Sequence, residues 1–498
     1  MAVIPSTTTM IKKDAIIPKK NNLSRRKFIQ TAGLAAAAFS ILPRTVLGGK
    51  GFVAPSDTLY IAGIGVGGKG YSDLASFSVS PKAIVSVLCD VDDRRASRAV
   101  TTFPKAKYYK DYRKMLDAEH KHIDAVSVST PDHMHAVQAM AAMQLGKHVY
   151  VQKPLTHDIY EARKLTEAAR RYKVVTQMGN QGASGDGVRQ MREWYNAGLI
   201  GDVHTVYVYT DRPVWPQGVP WPSTKSEIPK ELDWKLWLGT APYKDYIDNL
   251  VPFNWRGWWD YGTGALGDMA CHLIEAPYRI LGLSYPTAVE CSVGSVYVGE
   301  FKRGYFPESC PPSSHVTMTF PNVKGKSDIK LHWMDGGIQP ARPEELGPDE
   351  KLGDGGNGVL LIGTKGKMMC GTYGRNPQLL PTSRTMEVNV PQTIARVPQG
   401  DEPGHYLQWV DGCMAGYGKT ELSSDFALAG PLTEIVLMGN LAIRSFDVRI
   451  PKPDGKEGQF DYPGRYIKLL WDGPNMKITN FDQANEFVKR TYANGYSL

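Results

Sequence analysis

Short apolar runs alternate with amphipathic segments through the first third of the chain. The apolar runs predict buried strands at 58–62, 83–89, 123–129, 149–151 and 174–176. Between them, apolar residues recur at helical spacing and predict helices at 71–77, 94–101, 108–119, 135–145 and 161–172. Strands separated by helices at this interval are typical of parallel βαβ units. The pattern predicts a doubly wound parallel sheet, the Rossmann arrangement, over residues 56–180.

The pattern changes from residue 181 onward. A helix is predicted at 187–197, and residues 203–209 alternate valine with polar and aromatic positions, as in a strand with one exposed face. Further strands are predicted at 288–298, 315–320, 329–333, 358–362 and 367–370, separated by polar loops. Residues 181–498 therefore predict an α+β domain with an open, mainly antiparallel sheet.

The net charge of +8 does not indicate a nucleic-acid partner, because it is concentrated at one end. Residues 1–48 hold eight basic side chains against the single acid Asp14, which leaves a nearly neutral body. Ser24–Ile29 reads SRRKFI, a twin-arginine pattern, and an apolar stretch follows at 31–42. We expect a signal segment over 1–48 and export of the folded protein to the periplasm; a basic tail is the alternative. No other apolar run of membrane length is expected, so the mature form should not span a membrane.

The six cysteines lack the spacing of a zinc site. In an oxidising compartment some could pair, but most are expected to be small buried apolar residues.

The glycine-rich turn Gly63–Gly68 follows the first predicted strand and opens a helix. Gly63 permits the tight turn, Gly65 allows close approach of the backbone to a pyrophosphate, and Gly68 lets the helix pack on the strand. Asp90 follows at the end of the second strand, where it would accept hydrogen bonds from an adenosine ribose. This combination predicts NAD rather than NADP, although Arg94 and Arg95 weaken the preference. The predicted cofactor contacts are Gly63, Gly65, Val66, Gly67, Gly68, Asp90, Thr130, Pro131, His135, Lys153 and Gln181.

Three further motifs resemble the glucose–fructose oxidoreductase/inositol dehydrogenase (Gfo/Idh/MocA) family. They are Thr130-Pro131-Asp132 with His135, the run from Gly146 to Leu155 containing Lys153-Pro154, and the run from Gly264 to His272. The resemblance extends from about Leu59 to the last residues. One departure is Gln152, where the family commonly has glutamate before Lys-Pro.

The resemblance implies hydride transfer from a sugar hydroxyl to NAD, with Lys153, Asp268 and His272 as catalytic residues. Asp268 and His272 are four positions apart, so they share one face of a helix. We expect Asp268 to fix the imidazole tautomer while His272 takes the hydroxyl proton and Lys153 stabilises the alkoxide. A zinc site is the competing interpretation, but no third ligand accompanies the pair, and no metal is predicted.

Aromatic residues suggest a sugar substrate, because flat rings stack on the C–H faces of pyranoses. Tryptophans cluster ahead of His272, and the alternative is an aromatic core. The predicted substrate contacts are Asn180, Arg212, Trp259, His272 and His405.

Three functions remain open from the sequence. The first is a dehydrogenase of a sugar or glycoside ring hydroxyl that holds NAD tightly after export. The second is an NAD-dependent glycosidase that oxidises carbon 3 transiently, and the third is a non-enzymatic sugar sensor. The family also implies a homo-oligomer.

Overall fold

A six-stranded parallel sheet forms the first layer of the computed structural model, which describes residues 57–322 and 327–498. Its strands are β1 (Leu59–Ile64), β2 (Ala83–Cys89), β3 (Lys107–Tyr109), β4 (Ala125–Val128), β5 (His148–Gln152) and β6 (Thr176–Gly179), in the order β3-β2-β1-β4-β5-β6. Helices connect them: α1 (Lys69–Phe77), α2 (Asp93–Thr102), α3 (Tyr112–Glu119), α4 (Asp132–Gln144) and α5 (Ile159–Tyr172). The predicted doubly wound parallel sheet is confirmed, while the predicted signal segment 1–48 lies outside the described residues.

Several element boundaries in this domain differ from the prediction, most of them by two or three residues. Tyr108 was placed in a helix, but it lies in β3 and its hydroxyl donates to Asp93. The third helix instead begins at Tyr112, after the N-cap Asp111 accepts a hydrogen bond from the backbone of Arg113. The last strand also begins at Thr176, two residues later than predicted.

The second layer is a nine-stranded sheet in the order β15-β14-β13-β7-β12-β11-β8-β18-β19. The parallel pair β7–β12 is flanked by antiparallel pairs, as predicted for a mainly antiparallel sheet. Its strands are β7 (Val203–Tyr209), β8 (Ala288–Val293), β11 (Ser314–Phe320), β12 (Ile329–Met334), β13 (Gly358–Gly363), β14 (Gly366–Cys370), β15 (Gln378–Leu380), β18 (Leu469–Asp472) and β19 (Lys477–Ile478). Two-stranded ribbons are formed by β9 (Tyr297–Gly299) with β10 (Lys302–Arg303), and by β16 (Ile450–Pro451) with β17 (Phe460–Asp461).

Helices accompany the second sheet, and most of them carry no clear signal in the sequence. They are α6 (Asp186–Asn196), α7 (Trp234–Leu238), α8 (Gly264–Leu273), α9 (Glu275–Leu281), α10 (Arg384–Glu387), α11 (Pro403–Ala415) and α12 (Phe426–Phe446). Short 3₁₀ turns lie at Gln181–Ser184, Asn254–Gly257, Thr372–Gly374 and Asp482–Phe487.

Helix α12 is the longest helix of the described chain and was not predicted. It is apolar enough by length and composition to cross a membrane, so the expectation that no such run follows residue 48 was wrong on that criterion. Within the fold, however, 83% of its most apolar stretch is buried, because it packs against α5, α8 and β8. A helix buried on nearly every side is a core element.

Helix α11 returns from the second half of the chain to complete the nucleotide domain. Tyr406 and Trp409 pack against Phe77 and Tyr150, with ring centroids 4.7–5.7 Å apart. All six cysteines are free, and all are buried except the half-buried Cys291.

The last described residues lie against the same domain through a buried ion pair. The Arg490 guanidinium is 2.7 Å from Glu161, whose side chain is fully buried. Glu161 also closes the capping box of α5 with Asp158. The pair therefore joins residues 329 positions apart in the chain.

Removing this arginine should destabilise the protein strongly. Arg490→Ala leaves the Glu161 carboxylate buried without its cation, a loss of about 3–5 kcal/mol in the free energy of unfolding. Urea denaturation measures it. Lys164→Ala is the matched control, because it removes an exposed ion pair with Glu167 on the same helix and should cost at most about 1 kcal/mol. Equal losses for the two variants would contradict the assignment.

Candidate functional site

A cavity of about 660 Å³ runs along the carboxyl ends of the parallel strands. This edge of an α/β sheet is where ligands bind. The cavity extends from β3 to β6 and is closed on its other side by the second domain. Its lining includes the predicted residues Gly65, Gly67, Gly68, Asp90, Thr130, Pro131, Lys153, Gln181, Arg212, Asp268 and His272.

Backbone contacts leave no room for side chains in the glycine turn. Gly65 has φ +76°, and a Cβ there would lie 2.7 Å from the Ser129 carbonyl oxygen. At Gly70, in the first turn of α1, a Cβ would lie 1.8 Å from the Gly65 oxygen. The turn therefore presents bare backbone at the N-terminus of α1, where Gly68 provides no side-chain cap. Such a terminus attracts an anionic group.

Asp90 holds the glycine turn in place. Its carboxylate accepts hydrogen bonds from the backbone N–H of Val66 (2.9 Å), Gly67 (3.2 Å) and Asp92 (3.0 Å). Burial raises the pKa of Asp90 to about 6, and these hydrogen bonds oppose the increase. The predicted contact with a ribose stays a prediction, and the observed contacts add a structural role that the motif alone did not indicate.

Three predicted cofactor residues act behind the cavity wall. Gly63 lies inside β1 against Leu74, and the Val66 side chain is fully buried. The His135 ring bonds the carbonyl oxygens of Thr130 and Pro154, both at 2.8 Å, and does not line the cavity. The prediction that His135 touches the cofactor therefore needs correction, because its ring braces the two loops that do line the site.

Lys153 and Asp268 form a nearly buried ion pair between the two domains. The Lys153 Nζ lies 2.7 Å from the Asp268 carboxylate and 2.6 Å from its carbonyl oxygen. Arg256 approaches the same carboxylate at 3.4 Å. Burial alone would raise the pKa of Asp268, but the charges of Lys153 and Arg256 outweigh it and lower the pKa to about 2.

His272 lies at the cavity wall. Burial, reinforced by the charge of Lys153, holds its pKa well below the usual value. The ring packs edge-on against Tyr373, with centroids 4.6 Å apart, and its Nδ1 is buried without a hydrogen-bond partner. The prediction that Asp268 fixes the tautomer is corrected here, since the Asp268 carboxylate bonds Lys153 and not the imidazole.

Three of the predicted substrate residues lie away from the cavity. Asn180 bonds Glu275 and Ser424 in the interior. His405 is fully buried and bonds Ser184 and the Met178 carbonyl. Trp259 lines a separate small cavity beside Arg444. These placements contradict the predicted substrate contacts, whereas Arg212 and His272 do line the site.

The tryptophan cluster is mainly a core. Trp221, Trp255 and Trp258 belong to one apolar cluster with Trp237, while the buried Trp215 packs edge-on against Phe253. Of Trp215, Trp221, Trp255 and Trp258, which precede His272, only Trp255 lines the cavity. The alternative interpretation as an aromatic core is therefore the better one.

Sequence reasoning missed Arg256, Tyr373 and Asp73. Arg256 and Tyr373 line the cavity from two 3₁₀ turns that no local pattern indicates. Asp73 follows Lys69 by one helical turn, a spacing that could have been noticed. Its fully buried carboxylate accepts a 2.8 Å hydrogen bond from Gln152, the residue that departs from the family motif.

Comparison with known proteins also indicates an NAD-binding domain at these residues. Residues 59–180 match the profile described as "Oxidoreductase family, NAD-binding Rossmann fold", named GFO_IDH_MocA. Residues 188–296 match its partner, "Oxidoreductase family, C-terminal alpha/beta domain". Both segments belong to the Gfo/Idh/MocA family. The resemblance stated from the motifs is confirmed.

Curated relatives match over a shorter stretch. "Glycosyl hydrolase family 109 protein 1" of Shewanella sp. (strain ANA-3) is 31% identical over 175 residues, which are 30% of this chain and 38% of that protein. "Alpha-N-acetylgalactosaminidase" of Shewanella oneidensis is 30% identical over the same shares. The match thus spans little more than a third of the length of these relatives.

Solved structures share the fold. The WlbA dehydrogenase of Bordetella pertussis, in complex with NADH and UDP-GlcNAcA, aligns with a TM-score of 0.53 at 15% identity over 80% of this chain and all of that one. A levoglucosan dehydrogenase in complex with NADH and levoglucosan aligns with a TM-score of 0.50 at 16% identity, over 78% and 98%.

The residues present fit NAD. The bare glycine turn suits a pyrophosphate, and Lys69 and Arg95 line the cavity beside it as positive charges. Arg94 is held 2.6 Å from Asp92, so it does not enter the cavity.

The close contact at Gly65 predicts a specific binding defect. Gly65→Ala should weaken NAD binding roughly tenfold or more, because its Cβ displaces the turn that carries the N–H groups. Isothermal titration of cofactor-free protein measures this effect. Gly146→Ala is the control, since Gly146 also has a positive φ, +71°, but nothing lies within 4 Å of a Cβ there. An equal loss of affinity in both variants would assign the effect to backbone strain.

Proposed function

We propose that this protein is an NAD-dependent oxidoreductase that acts on a ring hydroxyl of a sugar or glycoside. The observation that carries the proposal is the meeting of Lys153 and His272 on the cavity that the glycine turn opens. A paired cation and a neutral base that line one cavity suit removal of the hydroxyl proton from an alcohol, while NAD, when bound, would accept the hydride.

Lys153 is suited to stabilise the developing alkoxide. An ammonium has three N–H donors, and Asp268 engages it through its carboxylate and its carbonyl oxygen. The third donor remains for a substrate oxygen. NAD, when bound, supplies the acceptor for the hydride that leaves the carbon carrying this oxygen. The ion pair fixes the ammonium in advance, so little reorganisation accompanies the reaction.

His272 is suited to take the hydroxyl proton. Its lowered pKa keeps the imidazole unprotonated and ready to accept. The imidazolium that forms would be stabilised by the ionised Asp268 nearby, which already raises the affinity of the ring for a proton. Asp268 therefore acts on His272 through its charge.

The outer part of the cavity offers sugar-binding chemistry. Arg212 and Glu402 can bond hydroxyl groups, and Trp255 and Tyr373 present aromatic surface. Arg256 lies over the rings of Phe253 and Trp255, each at 4.3 Å, so its guanidinium is held at the cavity wall.

The proton acceptor determines the pH dependence. Because the pKa of His272 lies well below its usual value of about 6.5, protonation should inactivate the base only at a lower pH. We expect kcat/KM for glycoside oxidation to stay level as the pH falls through 6.5 and to decline in more acidic buffer. An acid limb centred at or above pH 6.5 would contradict this role.

Substitution of His272 distinguishes a catalytic role from a structural one in the same assay. His272→Gln should lower kcat by about 10²–10⁴-fold while the affinity for NAD stays unchanged. His332→Gln, at a half-buried position on β12, is the control and should keep wild-type kinetics.

A redox-neutral glycosidase is the second candidate, and the names of the curated relatives favour it. With NAD bound, transient oxidation at carbon 3 would acidify the proton at carbon 2, so that the leaving group would be eliminated and water would add. Return of the hydride from NADH to carbon 3 would then restore the ring. The same Lys153 and His272 could serve that sequence.

One incubation distinguishes the two functions. The purified full chain is mixed with a nitrophenyl glycoside without added cofactor, and a denatured sample is analysed by mass spectrometry for released NAD. We expect co-purified NAD and a keto-glycoside, at most one per protein molecule. Continuous release of nitrophenol and free sugar would replace the dehydrogenase with the glycosidase, and no conversion of any glycoside tried would contradict both.

Co-purified NAD is also relevant to where in the cell the protein works. We propose export of the folded protein to the periplasm, supported by the SRRKFI pattern at Ser24–Ile29. A folded exported enzyme has to carry its cofactor with it, so release of NAD must be slow.

A further inference from the structure

Residues 490–498, here called the strap, run across the nucleotide domain to the cofactor cavity. The strap begins at Arg490, which pairs with Glu161 and also donates to the His133 carbonyl (2.6 Å) and the Thr240 hydroxyl (2.8 Å). His133 belongs to α4, and its neighbours Asp132 and Met134 line the cavity. The start of the strap is therefore fastened directly behind the site.

A second set of hydrogen bonds holds the strap against the segment that follows α7. The backbone N–H of Ala493 donates to Thr240 (2.9 Å), and the Asn494 amide donates to Gly239 (2.8 Å) and Ala241 (3.0 Å). These carbonyls directly follow α7, whose Leu236 and Trp237 line the cavity. The strap and α7 thus form one continuous wall.

Tyr496 is the strap residue that reaches the cavity. Its half-buried ring lines the same space as Lys110, Asp111 and Tyr112. The Arg113 guanidinium lies 5.2 Å from the ring centroid. The Tyr496 N–H donates to the Ala493 carbonyl, so the backbone forms a turn at this position.

Strand order identifies which end of the cavity this is. Lys110–Tyr112 follow β3, which lies beyond β2 and Asp90 as seen from the glycine turn after β1. Lys153 lies on the opposite side, at the end of β5 beyond β4, and His272 lines the cavity from α8. A dinucleotide with its pyrophosphate at the glycine turn and its nicotinamide near Lys153 must place its adenine toward β3.

The chemistry at this end suits a planar uncharged group. The charges around Tyr496 already pair with each other, Arg113 with Asp111 and Lys110 with Asp93, both at 2.8 Å. The uncharged surface at this end includes the tyrosine ring, Val91 and Leu236. An adenine base offers a matching flat face.

We propose that Tyr496 forms a wall of the adenine subsite, so that the strap is part of the cofactor site and slows release of NAD. This inference rests on the proposed function, because it assumes a bound dinucleotide. It gives the tight retention discussed above a physical basis in a segment that the family motifs do not include.

The test measures binding by isothermal titration to the full chain stripped of cofactor. The ligands are NAD, ADP-ribose, which contains the adenosine half without nicotinamide, and nicotinamide mononucleotide, which lacks adenosine. Tyr496→Ala should raise the Kd for NAD and for ADP-ribose about tenfold and leave that for nicotinamide mononucleotide unchanged. Tyr496→Phe should bind as wild type, since the ring supplies the contact. Tyr466→Ala, which removes an exposed tyrosine outside the cavity lining, is the control.

Each outcome decides the proposal. Selective loss of affinity for NAD and ADP-ribose in Tyr496→Ala supports it. Unchanged binding in that variant, or equal weakening of all three ligands, overturns it. If the wild-type protein binds neither NAD nor ADP-ribose, the proposed function fails along with it. If the wild-type protein binds NAD and Tyr496→Ala binds it equally well, the proposed function stands and only this inference fails.

Discussion

The ion pair between Lys153 and Asp268 is the interaction on which the rest of the site depends. Each partner comes from a different domain, and removing the pair from water is costly. Arg256 and the Asp268 carbonyl offset that cost by completing the contacts of both groups. The pair aligns the end of β5 with α8 and sets the electrostatic surroundings of His272. One contact therefore joins the two domains at the site and contributes to its charge.

The sequence predicted the structure best where a local residue pattern determines the backbone conformation. Strands β2 and β7 lie where they were predicted, and the glycine turn was placed with its neighbouring Asp90. Helix α12 was not predicted because it is apolar on all sides and contains Pro431, so its sequence shows no amphipathic period. His405 and Trp259 were misplaced because composition does not say which way a side chain faces. Contacts such as Tyr373 on His272 depend on tertiary folding and leave no local signal.

The departure at Gln152 has a structural explanation in a distant residue. Its amide donates to the fully buried Asp73, which also accepts hydrogen bonds from Ser129 and Tyr406. A glutamate at position 152 would bring a second carboxylate against this one in a setting where burial already raises the pKa of Asp73. Lys69, 3.3 Å from Asp73, supplies the compensating positive charge. An uncharged amide at position 152 therefore suits the buried carboxylate of Asp73.

Helix α11 and the strap also determine when the nucleotide domain can finish folding. Tyr406 meets Lys69 across 337 positions, and Arg490 meets Glu161 across 329. During synthesis, the parallel sheet emerges long before the residues that cover Phe77 and neutralise Glu161. Contacts so distant in sequence form slowly and leave apolar surface exposed meanwhile. An incomplete chain should therefore depend on chaperones until the ribosome has delivered its last hundred or so residues.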